Sequence, residues 1–501
     1  MSKPYYITTA ISYPNGAPHI GHAYEAIAAD AIARFQKAQG RDVRFQTGTD
    51  EHGLKMAQAA RSEGIDPATY AETMSSKFRV MCDALDVDYD RFIRTSEPDH
   101  HRASQAIWQA MEANGDLYLG RYEGWYSVRD EAFYEESELT DGAGSKLSPQ
   151  GTPVDWTVEE SWFFKLSAYQ QPLLDHYAAH PEFIQPDSRR NEVLRFVEGG
   201  LNNLSISRTS FDWGIKVPGG DGAHVMYVWL DALTNYLTGL GYPDGGELFD
   251  RYWPANVHLI GKDVVRFHAV YWPAFLMSAK IALPRQIYGH GFLLSRGEKM
   301  SKSVGNVVDP LDLAARYGVD ALRYFLLREV TFGQDGSYSH EAIVGRVNSE
   351  LANSFGNLAQ RSLSMVFKNL DGVLPTPGEA NEDRALLDTV RIACRDTLPA
   401  EFERFAFAAG LEAWMAAVHA CNAYVDTTAP WGLKKTDPDR MAAVLGTLVV
   451  AIRELARAVA PIIPGSSAKL IALIDSGEGG QPIAQPTPIF PRLELEEVAA
   501  A

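Results

Sequence analysis

Strand-like and helix-like patterns of apolar residues follow one another from the start of the chain. Residues 5–12 (YYITTAIS) form a short β-rich run that enters the turn Pro14-Asn15-Gly16. The pattern then predicts a helix from His22 to Gln39, ended by Gly40, and a second short strand over Val43–Thr47, followed by Gly48-Thr49-Asp50-Glu51-His52-Gly53. Strand, turn, helix and strand within about fifty residues open a βαβ unit, and so a parallel sheet. The same alternation returns at VHLI (257–260), continues through a helical stretch to Ala279, and closes at QIYGHGF (286–292). The expectation is an α/β core split by an insertion.

The insertion, 116–225, has a different texture. Tyr118–Val128 is aromatic and strand-like, 141–153 (DGAGSKLSPQGTP) is a Gly/Ser/Pro loop, and helical and irregular stretches follow. From residue 346 the pattern is helical throughout. Leu411, Trp414, Met415 and Val418 fall at i, i+3, i+4 and i+7, and Val444, Leu445, Leu448, Val449, Ile452 and Leu455 form a similar stripe. Both read as core faces of a helix bundle. The tail after Gly477 is rich in Gly and Pro and reads as loose as far as Ile489.

The chain has 501 residues, more than one ordinary core holds, since domains usually run about 100–200 residues. A hydrophobic share of 46% with 22% charged residues excludes wholesale disorder. Acids outnumber bases 64 to 46, for a net charge of −18, so no global basic field favours DNA, although a local basic groove stays open. Cys82, Cys394 and Cys421 are too sparse for a disulfide framework or a site built on cysteine pairs, and they suit a reducing compartment. The N-terminal segment is too short and wrongly flanked for a signal peptide. The most apolar helical stretch, Met441–Val459, is cut by Arg453, Glu454 and Arg457. A cytoplasmic protein without a membrane segment is expected.

The chain has no GxGxxG after a strand, no GxxxxGK[ST] and no HExxH, so a nicotinamide dehydrogenase, a P-loop enzyme and a zincin lose their usual warrant. Ligands of an α/β sheet still bind beyond the carboxyl ends of its strands. The turn after the first strand carries His19-Ile20-Gly21-His22. Two imidazoles three residues apart at a helix start, beside orphan backbone N–H groups, favour an anion such as a nucleotide phosphate. Gly21 lets a planar base come close to the backbone. Alone, the same residues also fit a helix cap or a stray metal. Lys299-Met300-Ser301-Lys302-Ser303 is a polar loop whose two ammonium groups suit a triphosphate losing pyrophosphate. Alone, it also fits a solvated surface.

Taken together and in this order, the two segments resemble the HIGH and KMSKS signatures of the class I aminoacyl-tRNA synthetases. Within that class the chain resembles the methionyl-tRNA synthetase family, through AISYPNGAPHIGH (10–22), TGTDEHG (47–53), YVWLDALTNY (227–236), GKDVVRFHAVYWP (261–273) and YVDTTAPW (424–431). The resemblance implies a Rossmann-type parallel sheet split by a connective insertion and followed by an all-α helix-bundle domain. The implied boundaries are 1–115 and 226–290 for the two halves of the catalytic domain, 116–225 for the insertion, 291–345 for the KMSKS loop and linker, and 346–501 for the anticodon-binding bundle.

It further implies a methionine–tRNA ligase that uses ATP, with Mg²⁺ accompanying it, to form methionyl-adenylate and pyrophosphate, and then charges the 2′-OH of the terminal adenosine of methionine tRNA, initiator and elongator alike. His19, His22, Lys299 and Lys302 would be catalytic, with Gly21 and Ser301 joining them in ATP binding. The methionine site would comprise Ile11, Tyr13, Asp50, Trp229, Ala232, Tyr236, Phe267, His268 and Trp272. A long thioether suits an aromatic slot, since sulfur–ring contacts contribute about 0.3–1.5 kcal/mol each, and Asp50 would accept from the substrate ammonium. Leu233 stands where some family members carry Pro. The insertion, about 110 residues long, is too short for the editing domain of the relatives for Val, Ile and Leu, where size alone discriminates by about 1–3 kcal/mol per methylene. A class I synthetase for another amino acid, a nucleotidyltransferase sharing the His-x-Gly-His turn and an inactive RNA-binding descendant remain the alternatives.

Many relatives hold a zinc knuckle in the insertion. Here Ser127 and Asp130 stand where a C-x-x-C would be, and no cysteine lies between Cys82 and Cys394, so no structural zinc is expected. At the RNA end, Asn357, Arg361 and Trp431 match the family's anticodon contacts. Asn357 and Arg361 share a helix face, and Trp431 offers a stacking plate. The expectation is a monomer with no extra C-terminal tRNA-binding module after the bundle.

Overall fold

The N-terminal apolar run becomes strand β1 (Pro4–Thr9), buried at every position after Pro4. It lies in a sheet with β2 (Asp42–Thr49), β3 (Arg91–Arg94), β4 (Ile184–Gln185), β5 (Val257–Gly261) and β6 (Ile287–His290), ordered β3-β2-β1-β5-β6-β4 with every pair parallel. Ile7 of β1 registers with Phe45 of β2 and with Val257 of β5. Both β5 and β6 are buried along their whole length, as expected when a parallel sheet is covered on both faces. The direction of winding reverses between β1 and β5, and the crevice beyond their carboxyl ends is the usual ligand position in such a sheet. The computed structural model describes residues 2–130, 132–142, 145–220, 222–295, 298–299 and 308–495.

The chain forms two compact units: Met1–Ala29, Gln39–Asp83 and Val87–His290 make the first, and Asp30–Ala38, Ala84–Asp86 and Gly291–Ala501 the second. Helix α1 (Ile20–Ala38) follows β1. In the first unit, α2 (Pro98–Ala113) packs against α3 (Val228–Thr238), and a π-helical turn, Phe267–Tyr271, leads into α4 (Trp272–Ser278). Trp108, Tyr236, Trp272 and Phe275 are fully buried in one core. Within the insertion, Leu117–Ser127 and Asp155–Phe164 pair antiparallel, and Ala132–Tyr134 and Leu204–Ser205 add short strands at the two edges.

The second unit holds α5 (Val319–Glu329), α6 (Asn357–Asn369), α7 (Phe407–Thr428), α8 (Pro430–Thr436) and α9 (Pro438–Val459). Every residue of the two apolar stripes read from the sequence is buried, and Trp414 of α7 donates its indole N–H to the Leu455 carbonyl of α9 at 3.0 Å. Arg323 of α5 is wholly buried. Its five N–H groups meet five acceptors: Asp30 Oδ2 and the carbonyls of Leu85, Asp86, Pro461 and Ile462. Only arginine presents that many fixed donors.

The tail departs from the sequence expectation. Ile483 donates to Gly372 O at 2.9 Å, Gln360 to Pro486 O at 3.0 Å, and Asn348 exchanges two bonds with Leu493 at 2.8 Å each. Ile483 and Phe490 are buried, so two apolar anchors hold a Gly/Pro-rich segment that composition reads as loose. Among the described residues no helix is long and apolar enough to cross a membrane.

Candidate active site

Beyond β1 the chain keeps its hold on β2. Ser12 bridges Thr49, its N–H donates to Gly48 O at 2.9 Å, and Asp50 N–H donates back to Ser12 O at 2.9 Å. These bonds set the segment carrying Ile11 and Tyr13 against the turn carrying Asp50, where the two strands end. Tyr13 accepts at its hydroxyl from Met56 N–H at 3.2 Å, and its ring packs on the same core as Trp229. Ile11 is half-buried and Asp50 is buried. Gly48 is required by packing: a Cβ there would sit 2.0 Å from the Ile93 carbonyl oxygen of β3.

His19 and His22 stack with ring centroids 3.8 Å apart at the start of α1. His19 Nδ1 accepts from Gly21 N–H and His22 Nδ1 accepts from His19 N–H, each at 3.1 Å. Both neutral rings therefore carry their proton on Nε2, which makes each a donor of the kind an anionic phosphate oxygen needs. A side chain at position 21 would put its Cβ 2.9 Å from His19 Cε1, so Gly21 makes room for the His19 ring itself as well as for a ligand. A cavity of about 10 Å³, lined among others by His22, Glu25 and Thr47, lies at the same strand ends and is close to the size of one water.

Six of the methionine-site residues read from the sequence come together in one cluster. Trp229 lies flat on Phe267, 3.8 Å between centroids and 5° between planes. Tyr236 lies 6.0 Å from Trp272 and hydrogen-bonds His268 Nε2 at 2.6 Å. Ala232 stands on α3 between Trp229 and Tyr236, so the three share one helix face. His268 donates from Nδ1 to the Val264 carbonyl at 2.9 Å, which leaves Nε2 to accept from the Tyr236 hydroxyl. Burial pushes the His268 imidazole down to about 4, so the ring is neutral near pH 7, and burial pushes the Tyr236 phenol well up. Phe267 and His268 lie in the π-helical turn, a geometry frequent at functional sites.

Lys299 belongs to a two-residue strand, Glu298–Lys299, antiparallel to Leu293–Ser295; its side chain, and Ser301 and Lys302, lie outside the described residues. Also in the second unit, the Arg361 guanidinium lies 5.7 Å from the centre of the Trp431 ring and 3.7 Å from Asp426 Oδ1. Trp431 is 53% exposed, and Asn357 is exposed one helical turn before Arg361. Ala429, at φ 43°, turns the chain from α7 into α8 and places Trp431 beside α6.

Sequence reading missed three features. Glu25 of α1 bonds His290 at the end of β6 at 2.8 Å, and burial raises its carboxyl above the ordinary value. Asp231 is buried between His52 and His100. In the insertion, Ser148 and Thr152 join Ser127 and Asp130: Thr152 bonds Ser127 at 2.6 Å and Ser148 at 2.8 Å, and both Ser148 and Thr152 donate to Asp130 Oδ2, at 2.6 and 2.5 Å. Three hydroxyls and one carboxylate do not fit the thiolate and imidazole set of a structural zinc. Only the Gly/Pro turn between Ser148 and Thr152 hinted at a return of the chain there.

A doubly wound parallel sheet with a stacked histidine pair at its switch point, in a chain that also holds a helical bundle, is the architecture of the class I synthetases. The family described as tRNA synthetases class I (M) matches residues 5–363, and the anticodon binding domain of methionyl tRNA ligase matches residues 375–486. The chain belongs to this family of class I synthetases. It is 57% identical to a methionine–tRNA ligase of Brucella suis, covering 99% of each chain. It also superposes on methionyl-tRNA synthetase of Mycobacterium tuberculosis in complex with methionyl-adenylate, with a TM-score of 0.94 at 55% identity over 98% of this chain and 100% of that one. The apo form of the mycobacterial enzyme gives a TM-score of 0.87 at 50% identity.

Proposed function

We infer that the chain is a methionine–tRNA ligase. It activates methionine with ATP to methionyl-adenylate and transfers the methionyl group to the terminal adenosine of methionine tRNA. The observation that carries this reading is the aromatic cluster of α3 and the π-helical turn, in a sheet whose switch point bears the His19–His22 pair, combined with the likeness to an adenylate-bound relative.

In the first step a methionine carboxylate oxygen attacks the α-phosphorus, the bond to the bridging oxygen breaks, and pyrophosphate leaves. The Nε2–H groups of His19 and His22 stabilise the phosphate oxygens as charge moves onto them. The ammonium groups of Lys299 and Lys302, with Ser301 beside them, neutralise the departing pyrophosphate. Positioning and electrostatics carry the step, since the protein forms no bond to substrate. Asp50 accepts from the substrate ammonium. Ile11, Tyr13, Trp229, Ala232, Phe267 and Trp272 wall the thioether slot, and Tyr236 and His268 supply its polar contacts. In the second step the 2′-OH of the terminal adenosine attacks the adenylate carbonyl, AMP leaves and the hydroxyl proton is released. Mg²⁺ accompanying ATP would supply counter-charge to its phosphates.

The same reading assigns 1–115 and 226–290 to the catalytic domain, 116–225 to a zinc-free insertion, 291–345 to the KMSKS loop and linker, and 346–501 to the anticodon-binding bundle, where Asn357, Arg361 and Trp431 meet the anticodon. The enzyme acts as a cytoplasmic monomer on both initiator and elongator methionine tRNA and binds no DNA. Charging of each purified tRNA with labelled methionine tests this: methionine on both supports it, and charging of neither, or charging with another amino acid, contradicts it.

A further inference from the structure

Asp231 is a carboxylate placed where burial alone would oppose its charge. It stands on α3 between Trp229 and Ala232, fully buried, with Oδ2 2.7 Å from His52 Nδ1 and Oδ1 2.8 Å from His100 Nε2. Burial raises its carboxyl, and the two imidazoles more than reverse this, holding it well below the ordinary range. An ionised carboxylate only accepts, so His52 presents Nδ1–H and His100 presents Nε2–H. A charge this deeply buried is tolerated only when paired and hydrogen-bonded.

The partners come from separate elements. His52 lies two residues after Asp50 in the turn that follows β2, and His100 lies in the first turn of α2. The other ring nitrogen of His100 lies 2.9 Å from Thr238 Oγ1, so one imidazole touches α3 at positions seven apart, on one face. On the same flank Gln46 of β2 donates to Asn235 O and Oδ1 at 3.0 and 2.8 Å. Asp231, Asn235 and Thr238 thus fasten α3 to α2 and to β2 with its turn, while Trp229, Ala232 and Tyr236 point their own face at the aromatic cluster. Between Asp50 and His52, Glu51 is held by Arg94 and Ser96, and its carbonyl accepts from Trp213 Nε1 at 2.6 Å. The turn is therefore pinned on both sides of Asp50, and Asp231 is the point where that pinning reaches α3.

We propose that Asp231, clamped by His52 and His100, is a positioning residue that fixes the distance between Asp50 and the Trp229–Tyr236 face of α3, and so gauges the length of the amino-acid side chain. This rests on the methionine pocket assigned above. The ammonium acceptor and the end of the slot sit on different elements, and this buried network joins them. Loosening it lets the slot lengthen, which weakens methionine and relaxes rejection of a longer thioether.

The test uses amino-acid-dependent ATP–pyrophosphate exchange on the full chain with methionine and with ethionine, one carbon longer. The ratio of kcat/KM for the two is independent of how much protein is active. For Asp231→Asn the methionine KM should rise by about tenfold or more, with the KM for ATP within about twofold, and the methionine-to-ethionine ratio should fall by at least about fivefold. Asn and Gln place an N–H near the Nδ1 and Nε2 positions of histidine, so His52→Asn and His100→Gln should restore much of what His52→Ala and His100→Ala lose. An unchanged methionine KM in Asp231→Asn overturns the proposal. So does an equal fall for both amino acids, or losses in the alanine and amide variants that match. Asp50→Ala and Trp229→Ala serve as controls on the pocket. If they leave the methionine KM unchanged, the pocket assignment fails and the gauge with it; if they raise it and Asp231→Asn does not, the gauge alone fails.

Discussion

The Tyr236 hydroxyl lies 2.6 Å from His268 Nε2, in a ring whose Nδ1–H is already given to the Val264 carbonyl. The phenol is therefore the donor in this pair. Tyr236→Phe leaves a buried ring nitrogen without its donor, which costs about 1–2 kcal/mol of fold stability. Denaturant unfolding of the variant beside the parent chain checks this.

The same histidine gives the fold an acid-sensitive window. His268 titrates at about 4 in the fold against 6.5 when unfolded, so it is neutral in the native state and unfolding takes up a proton between those values. Stability is full above about pH 6.5, falls as pH drops through the window, and levels off below about 4, a loss of roughly 3 kcal/mol from this group. Burial lowers His258 in the same direction. Denaturant unfolding at pH 7 and pH 4.5 measures the difference, and His268→Gln should flatten it.

Arg361 and Trp431 meet 5.7 Å apart on the surface of the bundle. Trp431→Ala removes the stacking plate and should lower kcat/KM for methionine tRNA by about 1–3 kcal/mol, roughly five- to 150-fold. Arg361→Ala should act in the same direction with a smaller salt dependence of tRNA binding. Exchange without tRNA should move by less than about twofold in either, because the loss lies in RNA recognition.

Lys302→Ala should slow adenylate formation far more than it weakens methionine binding. Single-turnover adenylate formation beside equilibrium methionine binding separates the two. Equal losses in both would contradict a role for the loop in the departure of pyrophosphate.

The hydroxyl–carboxylate knot of Ser127, Asp130, Ser148 and Thr152 leads to a metal prediction. Elemental analysis of protein handled in metal-free buffer should find less than about 0.1 zinc per chain, and chelator should leave exchange and melting unchanged. Stoichiometric zinc would contradict the reading.

Local signals carried much of the fold and part of the site. The strand–turn–helix around His19 and His22 was legible because apolar period and turn chemistry agree there. The bundle stripes were legible because Leu411 to Val418 and Val444 to Leu455 repeat at helical spacing. Asp231 was not. Its partners His52 and His100 lie far from it in sequence, and a lone Asp within YVWLDALTNY looks like any polar residue on a buried helix. Ser148 and Thr152 were missed because hydroxyls in a Gly/Pro loop resemble turn residues. The tail after Gly477 was misread because composition does not show that Ile483 and Phe490 are anchored.

The central claim is methionine activation at the site built from β1, β2, α3 and the π-helical turn. It is tested most directly by ATP–pyrophosphate exchange with each of the twenty amino acids in turn and no tRNA. Exchange with methionine alone, reduced strongly in Asp50→Ala, is the predicted result. Exchange with a different amino acid, or with none, would contradict it.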